Sequence, residues 1–130
     1  SVGANYLLNV GPTAQGEILP VHAERLREVG KWLGVYGDSI YGTQAGVVSP
    51  ALGAAEGSVV STRKGEMHFV HVLDYISDCV TLRGLPAGIT GAALLKDGSP
   101  VKWATRGDNL VLTIPPDQRD LADSVLRLER

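Results

Sequence analysis

The sequence has little cysteine, few aromatic residues, no surplus of positive charge and no long apolar run. Its single cysteine, Cys79, can form neither an intramolecular disulfide nor a thiolate metal cage, and it leaves the compartment open. The chain carries 12 Lys and Arg against 14 Asp and Glu, and its nearest approach to a basic cluster is the pair Arg63-Lys64. Nucleic-acid binding is therefore not expected. No apolar run approaches the roughly 20 residues that cross a bilayer, so the sequence predicts a soluble chain without a membrane partner.

The composition predicts a folded core. Of the 130 residues, 44% are hydrophobic and 20% are charged, so the chain can bury enough apolar surface to avoid disorder. Its length fits one domain, or one small domain together with a fragment of another.

The first part of the chain predicts one strand followed by one helix. Residues 5–10 form a short apolar run without alternation, which is typical of a strand covered on both faces in a parallel sheet. Residues 21–33 repeat apolar side chains at helical spacing, with Pro20 at the first helical position and Gly34 placed to end the helix in a left-handed conformation. A buried parallel strand needs neighbouring strands, and no second strand-helix repeat follows. We therefore expect the partners of this strand to lie outside the chain.

The remainder predicts an antiparallel β-sandwich. Residues 44–57 are rich in small residues and predict a connecting segment. Beyond them, short runs of Val, Leu, Ile and Thr are separated by turn residues about every 8 to 12 positions, which is typical of a compact β-sandwich. Asp97-Gly98 is the sharpest hairpin signal, because both residues tolerate the positive φ of a type I′ turn. The seven predicted strands are residues 58–64, 66–75, 79–85, 89–95, 101–103, 109–114 and 124–129.

The histidines do not predict a metal site. His68 and His71 invite one, but the alternation of a strand sends residues three apart to opposite faces, so the two cannot chelate one ion. His22 stands alone near the helix start. No glycine-rich phosphate-binding pattern lies between the strand and the helix. No metal and no cofactor are therefore predicted.

Paired carboxylates are a second candidate for chemistry. Glu24 and Glu28 lie one helical turn apart, and two carboxylates can divide acid and base roles when their surroundings separate their pKa values. Arg25, Arg27 and Lys31 surround them, which indicates an ion-paired, solvated helix face instead.

Three other polar positions also have structural explanations. Asp74 and Asp78 flank a bend and are expected to accept hydrogen bonds from turn N–H groups. Cys79 is expected to be a buried, inert thiol. Asn9 ends the predicted buried strand, where α/β folds place their sites; its alternative role is to hydrogen-bond its own loop. The residues alone therefore predict no complete active site.

Ordered motifs run through nearly the whole chain. The first is NYLLNVGPT at residues 5–13. The others are Gly16, Glu24-Arg25-Leu26, Gly30-Lys31-Trp32-Leu33, Gly37, Ile40-Tyr41-Gly42, Thr62-Arg63-Lys64-Gly65 and residues 71–75, 82–85, 95–100 and 123–129. Together they resemble the C-terminal part of the α-L-fucosidases of glycoside hydrolase family 29. Residues 44–57 match weakly, and a tryptophan usual in that region of the family is not evident.

The resemblance implies a mostly β chain, with a C-terminal antiparallel β-sandwich preceded by the last strand-helix unit of a (β/α)8-like TIM barrel. Residues 1–43 would be the incomplete barrel end, residues 44–57 the connecting segment and residues 58–130 the sandwich. Asn9, Gly11 and Pro12 would lie at the catalytic rim of the barrel, as architecture and not as reacting groups.

The resemblance also implies a retaining exo-α-L-fucosidase as the parent protein. Retention requires two carboxyl groups about 5 to 5.5 Å apart, and in the family an aspartate nucleophile and a second carboxylate lie on earlier barrel strands. No catalytic residue is therefore carried over, and the isolated chain is expected to be inactive. Its implied partners are the remainder of the barrel, from preceding sequence or from a second chain, and a fucosylated glycan bound by the parent enzyme. The family also implies a secreted, periplasmic or lysosomal location.

A different class of protein fits the same strands. The alternative is a non-catalytic carbohydrate-binding or structural β-sandwich module. Such modules stack sugars on exposed aromatic rings, whereas this chain has 2 Trp, 4 Tyr and 1 Phe. Trp32 is predicted on the helix and Trp103 in a short strand, and this scarcity weighs against the alternative.

Overall fold

The computed structural model describes residues 2–51, 58–75 and 77–130. Among these residues it contains one α-helix, α1 (Pro20–Tyr36), the short 3₁₀ helices Gly37–Ser39 and Pro116–Gln118, and nine strands. The strands are β1 (Gln44–Ala45), β2 (Ser49–Pro50), β3 (Val59–Lys64), β4 (Met67–Val72), β5 (Cys79–Arg83), β6 (Gly91–Leu94), β7 (Lys102–Arg106), β8 (Asn109–Thr113) and β9 (Ser124–Glu129). All seven predicted strands are present, with their ends shifted by at most three residues.

The strands form two antiparallel sheets. One has five strands in the order β1-β3-β4-β9-β6, and the other has four in the order β2-β5-β8-β7. Each strand pair is antiparallel. The predicted mostly β chain with an antiparallel sandwich is thus confirmed.

The core lies between the two sheets. β8 shows how the sequence builds it, because Leu110 and Leu112 are buried whereas the alternating positions are half-buried. The buried apolar cluster consists of Val48, Val59, Val70, Val72, Val80, Leu82, Ala92, Leu94, Val101, Leu110, Leu112, Ile114, Leu126 and Leu128. Burial of these side chains is the main stabilising contribution of the fold.

Helix α1 packs on the outer face of the five-stranded sheet. Tyr36, near its C-terminal end, forms a second buried cluster with Phe69 and Val125, and the half-buried Trp32 packs against them. β4 is therefore covered on both faces, with Val70 in the core between the sheets and Phe69 under the helix.

The predicted end of the helix at Gly34 is wrong. α1 starts at Pro20 as predicted, but it runs past Gly34 to Tyr36, and Gly34 is not among the glycines with positive φ. The buried contacts of Tyr36 explain the difference, because packing of one aromatic side chain outweighs the roughly 1 kcal/mol that glycine costs inside a helix.

Residues 44–50 do more than connect. β1 pairs with β3 in one sheet and β2 pairs with β5 in the other, so this short stretch crosses from sheet to sheet. The sequence did not predict β1 and β2, because a strand of two residues is too short to show an alternating pattern. Residues 52–57 of the predicted connecting segment lie outside the described residues.

The chain reverses at Asp97-Gly98, but not through a type I′ turn. Gly98 has φ +74°, whereas no non-glycine residue among those described has positive φ. The Leu94 N–H donates to Ser99 O at 2.9 Å, and the Gly98 N–H donates to Leu94 O at 2.9 Å. Asp97 uses its side chain instead and accepts the Ser99 N–H at 2.8 Å. After this turn the chain passes from the five-stranded to the four-stranded sheet.

The predicted strand at residues 5–10 is not a strand in the structure. These residues carry no helix or strand assignment, and Tyr6 and Leu7 are 85% and 89% exposed. A strand exists through hydrogen bonds to neighbours, and no described strand lies beside this segment. Among the described residues, no helix combines the length and the apolar character that a membrane crossing requires.

Candidate functional site

The three residues predicted for a catalytic rim lie on an exposed segment, and two of them contact a groove beside α1. Asn9, Gly11 and Pro12 are all exposed to solvent. Asn9 and Gly11 line a shallow cavity of about 200 Å³, and Pro12 does not. The full lining is Leu8, Asn9, Val10, Gly11, His22, Arg25 and Leu26.

This groove brings together polar groups that the sequence did not connect. His22 and Arg25, one turn apart on α1, lie beside Asn9. An amide, an imidazole and a guanidinium can bind a polar or anionic group through hydrogen bonds. The lining contains no carboxylate, so the groove by itself lacks the pair of carboxyl groups that glycoside hydrolysis uses.

A second groove lies on the other side of Arg25. It has a volume of about 300 Å³ and runs between α1 and the loop before β9. Its lining is Arg25, Glu28, Val29, Trp32, Ala122 and Asp123. Both grooves therefore leave part of the surface of α1 accessible to solvent. Apolar side chains form part of the lining of each groove.

A polar cluster joins the C-terminal end of α1 to the sandwich. The Tyr36 hydroxyl donates to Asp120 Oδ2 at 2.7 Å. Lys96 Nζ donates to Asp120 Oδ1 at 3.3 Å and to Gln118 O at 2.9 Å. The Asp120 N–H donates to Ser124 Oγ at 2.9 Å. Burial, and then the bond to Asp120, raise the pKa of Tyr36 well above its ordinary value of 10.

A buried histidine-carboxylate pair lies in the same region. His71 Nδ1 and Asp123 Oδ2 are 2.7 Å apart, and both residues are buried. His71 Nε2 and Asp123 Oδ1 have no hydrogen-bond partner among the described residues. His71 shares the outer face of β4 with Phe69, so the pair contributes to the region covered by α1.

His68 faces the other way. Alternation along β4 places it on the side of Val70 and Val72, and the facing residue on β3 is Arg63. Burial, and then the charge of Arg63, lower the pKa of His68 below its ordinary value of 6.5. Within the described part of the chain, no three His, Cys, Asp or Glu side chains are grouped as a metal site requires.

The other predicted positions have mixed outcomes. Glu28 pairs with Arg25 on an exposed helix face, as predicted. Asp74 accepts its bond from the neighbouring Tyr75 N–H at 2.8 Å, as predicted. Asp78 instead pairs with Arg119. The prediction for Cys79 is wrong, because the thiol is exposed.

Asp120, Asp123 and Lys96 were missed by the sequence reasoning. They lie in loops, where no periodicity distinguishes a buried polar residue from a solvated one. The sequence offered only a weak signal for them, which is that two aspartates three positions apart directly precede the apolar run of β9.

Comparison of the sequence with known proteins gives a consistent set of relatives. A family model described as Alpha-L-fucosidase matches residues 1–38. The chain is 36% identical over 118 residues to an alpha-L-fucosidase of Branchiostoma floridae, a match that covers 88% of this chain and 26% of the relative. It is 35% identical over 118 residues to the tissue alpha-L-fucosidase of Homo sapiens, with 88% and 25% covered. The chain thus spans about a quarter of the length of the curated relatives that it matches.

Solved structures agree over almost the whole chain. Alpha-L-fucosidase isoenzyme 1 from Paenibacillus thiaminolyticus superposes with a TM-score of 0.79 at 36% identity, covering 94% of this chain and 30% of that one. An alpha-fucosidase of Thermotoga maritima solved in complex with fucose gives a TM-score of 0.76 at 29% identity, covering 95% and 30%. The similarity therefore includes the N-terminal segment and α1 as well as the sandwich.

Proposed function

This chain is related to the α-L-fucosidases, and we propose that it forms the C-terminal part of such an enzyme, a retaining exo-α-L-fucosidase. In this role residues 1–43 complete the catalytic barrel as its last strand and helix, and the sandwich supports them. The two reacting carboxyl groups, about 5 to 5.5 Å apart in a retaining enzyme, belong to the rest of the barrel. The substrate class is α-L-fucosides.

The exposed apolar surface of the first 36 residues carries this proposal. Nine large apolar side chains in this part are at least 37% exposed, and they are Val2, Tyr6, Leu7, Leu8, Ile18, Leu19, Val21, Val29 and Val35. An apolar segment of this kind gains free energy by burial against a partner. The rest of the barrel is the partner that the similarity to proteins about four times longer suggests.

Asn9, Gly11 and Pro12 have a structural role in this proposal. They follow the segment that would become the last barrel strand, and active sites of such barrels lie at the C-terminal ends of the strands. Gly11 and Pro12 would form part of the rim backbone, and Asn9 would face it beside His22 and Arg25. None of the three transfers a proton or forms a bond to the sugar.

A chimaera tests the proposal. The 30% of the Paenibacillus thiaminolyticus isoenzyme that matches this chain is replaced by this chain, and turnover of an aryl α-L-fucoside is measured. We expect the chimaera to hydrolyse the fucoside, and we expect this chain alone and the truncated isoenzyme alone not to. Turnover by the pure chain alone would contradict the proposal, as would a folded chimaera without activity.

A further inference from the structure

We propose that the 118–124 loop is a preformed socket for the C-terminal end of α1, and that Tyr36 is the positioning residue that sets the direction of the helix. Through the helix, Tyr36 would set the location of the Asn9–Pro12 segment. This inference rests on the proposed function only in assigning that segment to a barrel rim; the socket itself is a property of this chain.

The socket is fixed to the sandwich independently of α1. Arg119 Nε donates to Ile114 O at 2.9 Å, and its guanidinium lies 4.2 Å from the centre of the Tyr75 ring. Arg119 also pairs with Asp78. The bond from Lys96 to Gln118 O holds the start of the loop, and the bond from Asp120 to Ser124 Oγ holds its end.

The fixed loop presents one acceptor to the helix. Lys96 and the Tyr36 hydroxyl bind different oxygens of the Asp120 carboxylate. Hydrogen bonds to a charged acceptor are stronger than those between neutral groups, and Asp120 is only partly exposed. The site therefore favours a side chain that, like tyrosine, is long enough to reach Asp120 and carries a hydrogen-bond donor at its end. The apolar packing of Phe69 and Val125 alone would not make this distinction.

The helix is held at this end and not at the other. Tyr36 is the buried residue of α1, and Trp32 and Leu33 are half-buried. Beyond Tyr36, the Ser39 hydroxyl donates to Tyr36 O at 2.7 Å, and the Thr62 hydroxyl donates to Ser39 O at 2.6 Å. From Pro20 to Lys31 no side chain of α1 is buried, and only Ala23 and Leu26 are half-buried.

The length of the helix amplifies small movements at Tyr36. Tyr36 lies 16 positions after Pro20, so the two ends of the helix are about 24 Å apart at 1.5 Å per residue. A rotation of about 10° at Tyr36 would move Pro20 by about 4 Å. Misplacement of supporting elements by about 1 Å can lower catalytic rates about a hundredfold, so the bond between Tyr36 and Asp120 would matter for the rim.

Hydrogen exchange on this chain tests the socket. We expect Tyr36→Phe to speed amide exchange in α1 about tenfold, the effect of losing one hydrogen bond to a charged acceptor, while amides of β4, β8 and β9 keep their protection. Tyr41→Phe is the matched control, because Tyr41 is 61% exposed, and it should change neither. Unchanged exchange in α1 would overturn the proposal, and so would equal loss of protection in helix and strands, which would indicate general destabilisation.

The chimaera separates positioning from stability. With Tyr36→Phe we expect kcat/KM for the aryl fucoside to fall about tenfold or more while the thermal midpoint of the sandwich stays unchanged. An unaltered kcat/KM would overturn the positioning role. If the unsubstituted chimaera is inactive, the proposed function fails, but the exchange result still decides whether the socket holds the helix.

Discussion

At the scale of the residue, His68 shows how burial and one charged neighbour disfavour the protonated form of a histidine. It is buried on the core side of β4 and lies opposite Arg63 across the β3–β4 ladder. Both burial and a nearby positive charge disfavour the imidazolium form, so the pKa of His68 is lowered in the folded state. The unfolded chain consequently binds a proton at a higher pH than the folded chain does.

Stability should therefore fall in mild acid. As pH drops through the ordinary histidine pKa of about 6.5, the unfolded state takes up a proton that the folded state resists, and the free energy of unfolding decreases. Urea unfolding between pH 8 and pH 5 measures this decrease, and His68→Gln should flatten it. His22→Gln, which removes an exposed histidine, should keep the original slope, and an equal slope in His68→Gln would contradict the prediction.

The core makes a second prediction at this scale. Leu126 is fully buried in β9, between β4 and β6. Leu126→Ala should lower the free energy of unfolding by about 2 to 5 kcal/mol, because it removes buried methyl groups and leaves a cavity. Leu121→Ala is the matched control, since Leu121 is fully exposed. Its free energy of unfolding, measured with urea, should stay within about 0.5 kcal/mol of that of the original protein.

At the scale of the element, two glycines allow β1 and β2 to lie close to the neighbouring strands β3 and β5. A Cβ on Gly46 would lie 2.2 Å from Ser61 Oγ, and a Cβ on Gly84 would lie 2.5 Å from Val47 O. Neither distance is possible for real atoms, so a side chain at either position would push residues 44–50 away from β3 or β5. The pairing of β1 and β2 with their neighbours therefore depends on glycine at these two positions.

Gly84→Ala should therefore destabilise more than an ordinary glycine substitution. Gly84 has φ +72°, and Gly88 has φ +79° with nothing within 4 Å of its Cβ position. Both replacements incur the backbone cost of about 1 to 2 kcal/mol for a left-handed residue, but Gly84→Ala adds a clash with backbone. In urea unfolding, Gly84→Ala should have a clearly lower free energy of unfolding than Gly88→Ala. Equal free energies would show that the close approach of Gly84 to Val47 does not affect stability.

At the scale of the whole molecule, the chain exposes more surface than a compact protein of its size. Its accessible area is 8313 Å² at 13.7 kDa, whereas a compact monomer of this mass exposes about 6,600 Å². The excess of about 1,700 Å² exceeds the roughly 800 Å² that one partner buries in a standard interface. Among the described residues, nine of the 16 exposed large hydrophobic side chains belong to residues 2–36, which supports their proposed place inside a larger barrel.

A charged residue on this surface should leave the stability of the chain unchanged but lower the activity of the chimaera. Leu7 is 89% exposed, so Leu7→Asp should leave the stability of the chain within about 0.5 kcal/mol of the original. In the chimaera it should lower fucosidase activity strongly, because the carboxylate would be buried without a partner. Ala104→Asp is the control on exposed β7, in the sheet that α1 does not cover. Equal activity in both variants would contradict the proposed burial of Leu7.

The sequence by itself determined most of the local elements and the relatives of this protein. Apolar spacing located α1 and the strands of the sandwich, because residues a few positions apart in a helix or strand share a face, and such periods can be read along the chain. The resemblance to the fucosidase family came instead from ordered motifs such as residues 5–13. That residues 5–10 need partners stays a prediction from the sequence, made because an apolar run without alternation has no face for solvent.

Only the tertiary structure decided where the helix ends and what holds it. Tyr36 and Asp120 are 84 positions apart, and β1 and β2 are recognisable as strands only through their pairing with β3 and β5. Contacts between residues distant in sequence leave no periodic pattern, and a loop aspartate has the same local sequence whether water or a tyrosine hydroxyl binds it. The physical reason is that burial and hydrogen-bond partners are set by how the elements pack against one another, and packing becomes defined only when the whole chain has folded.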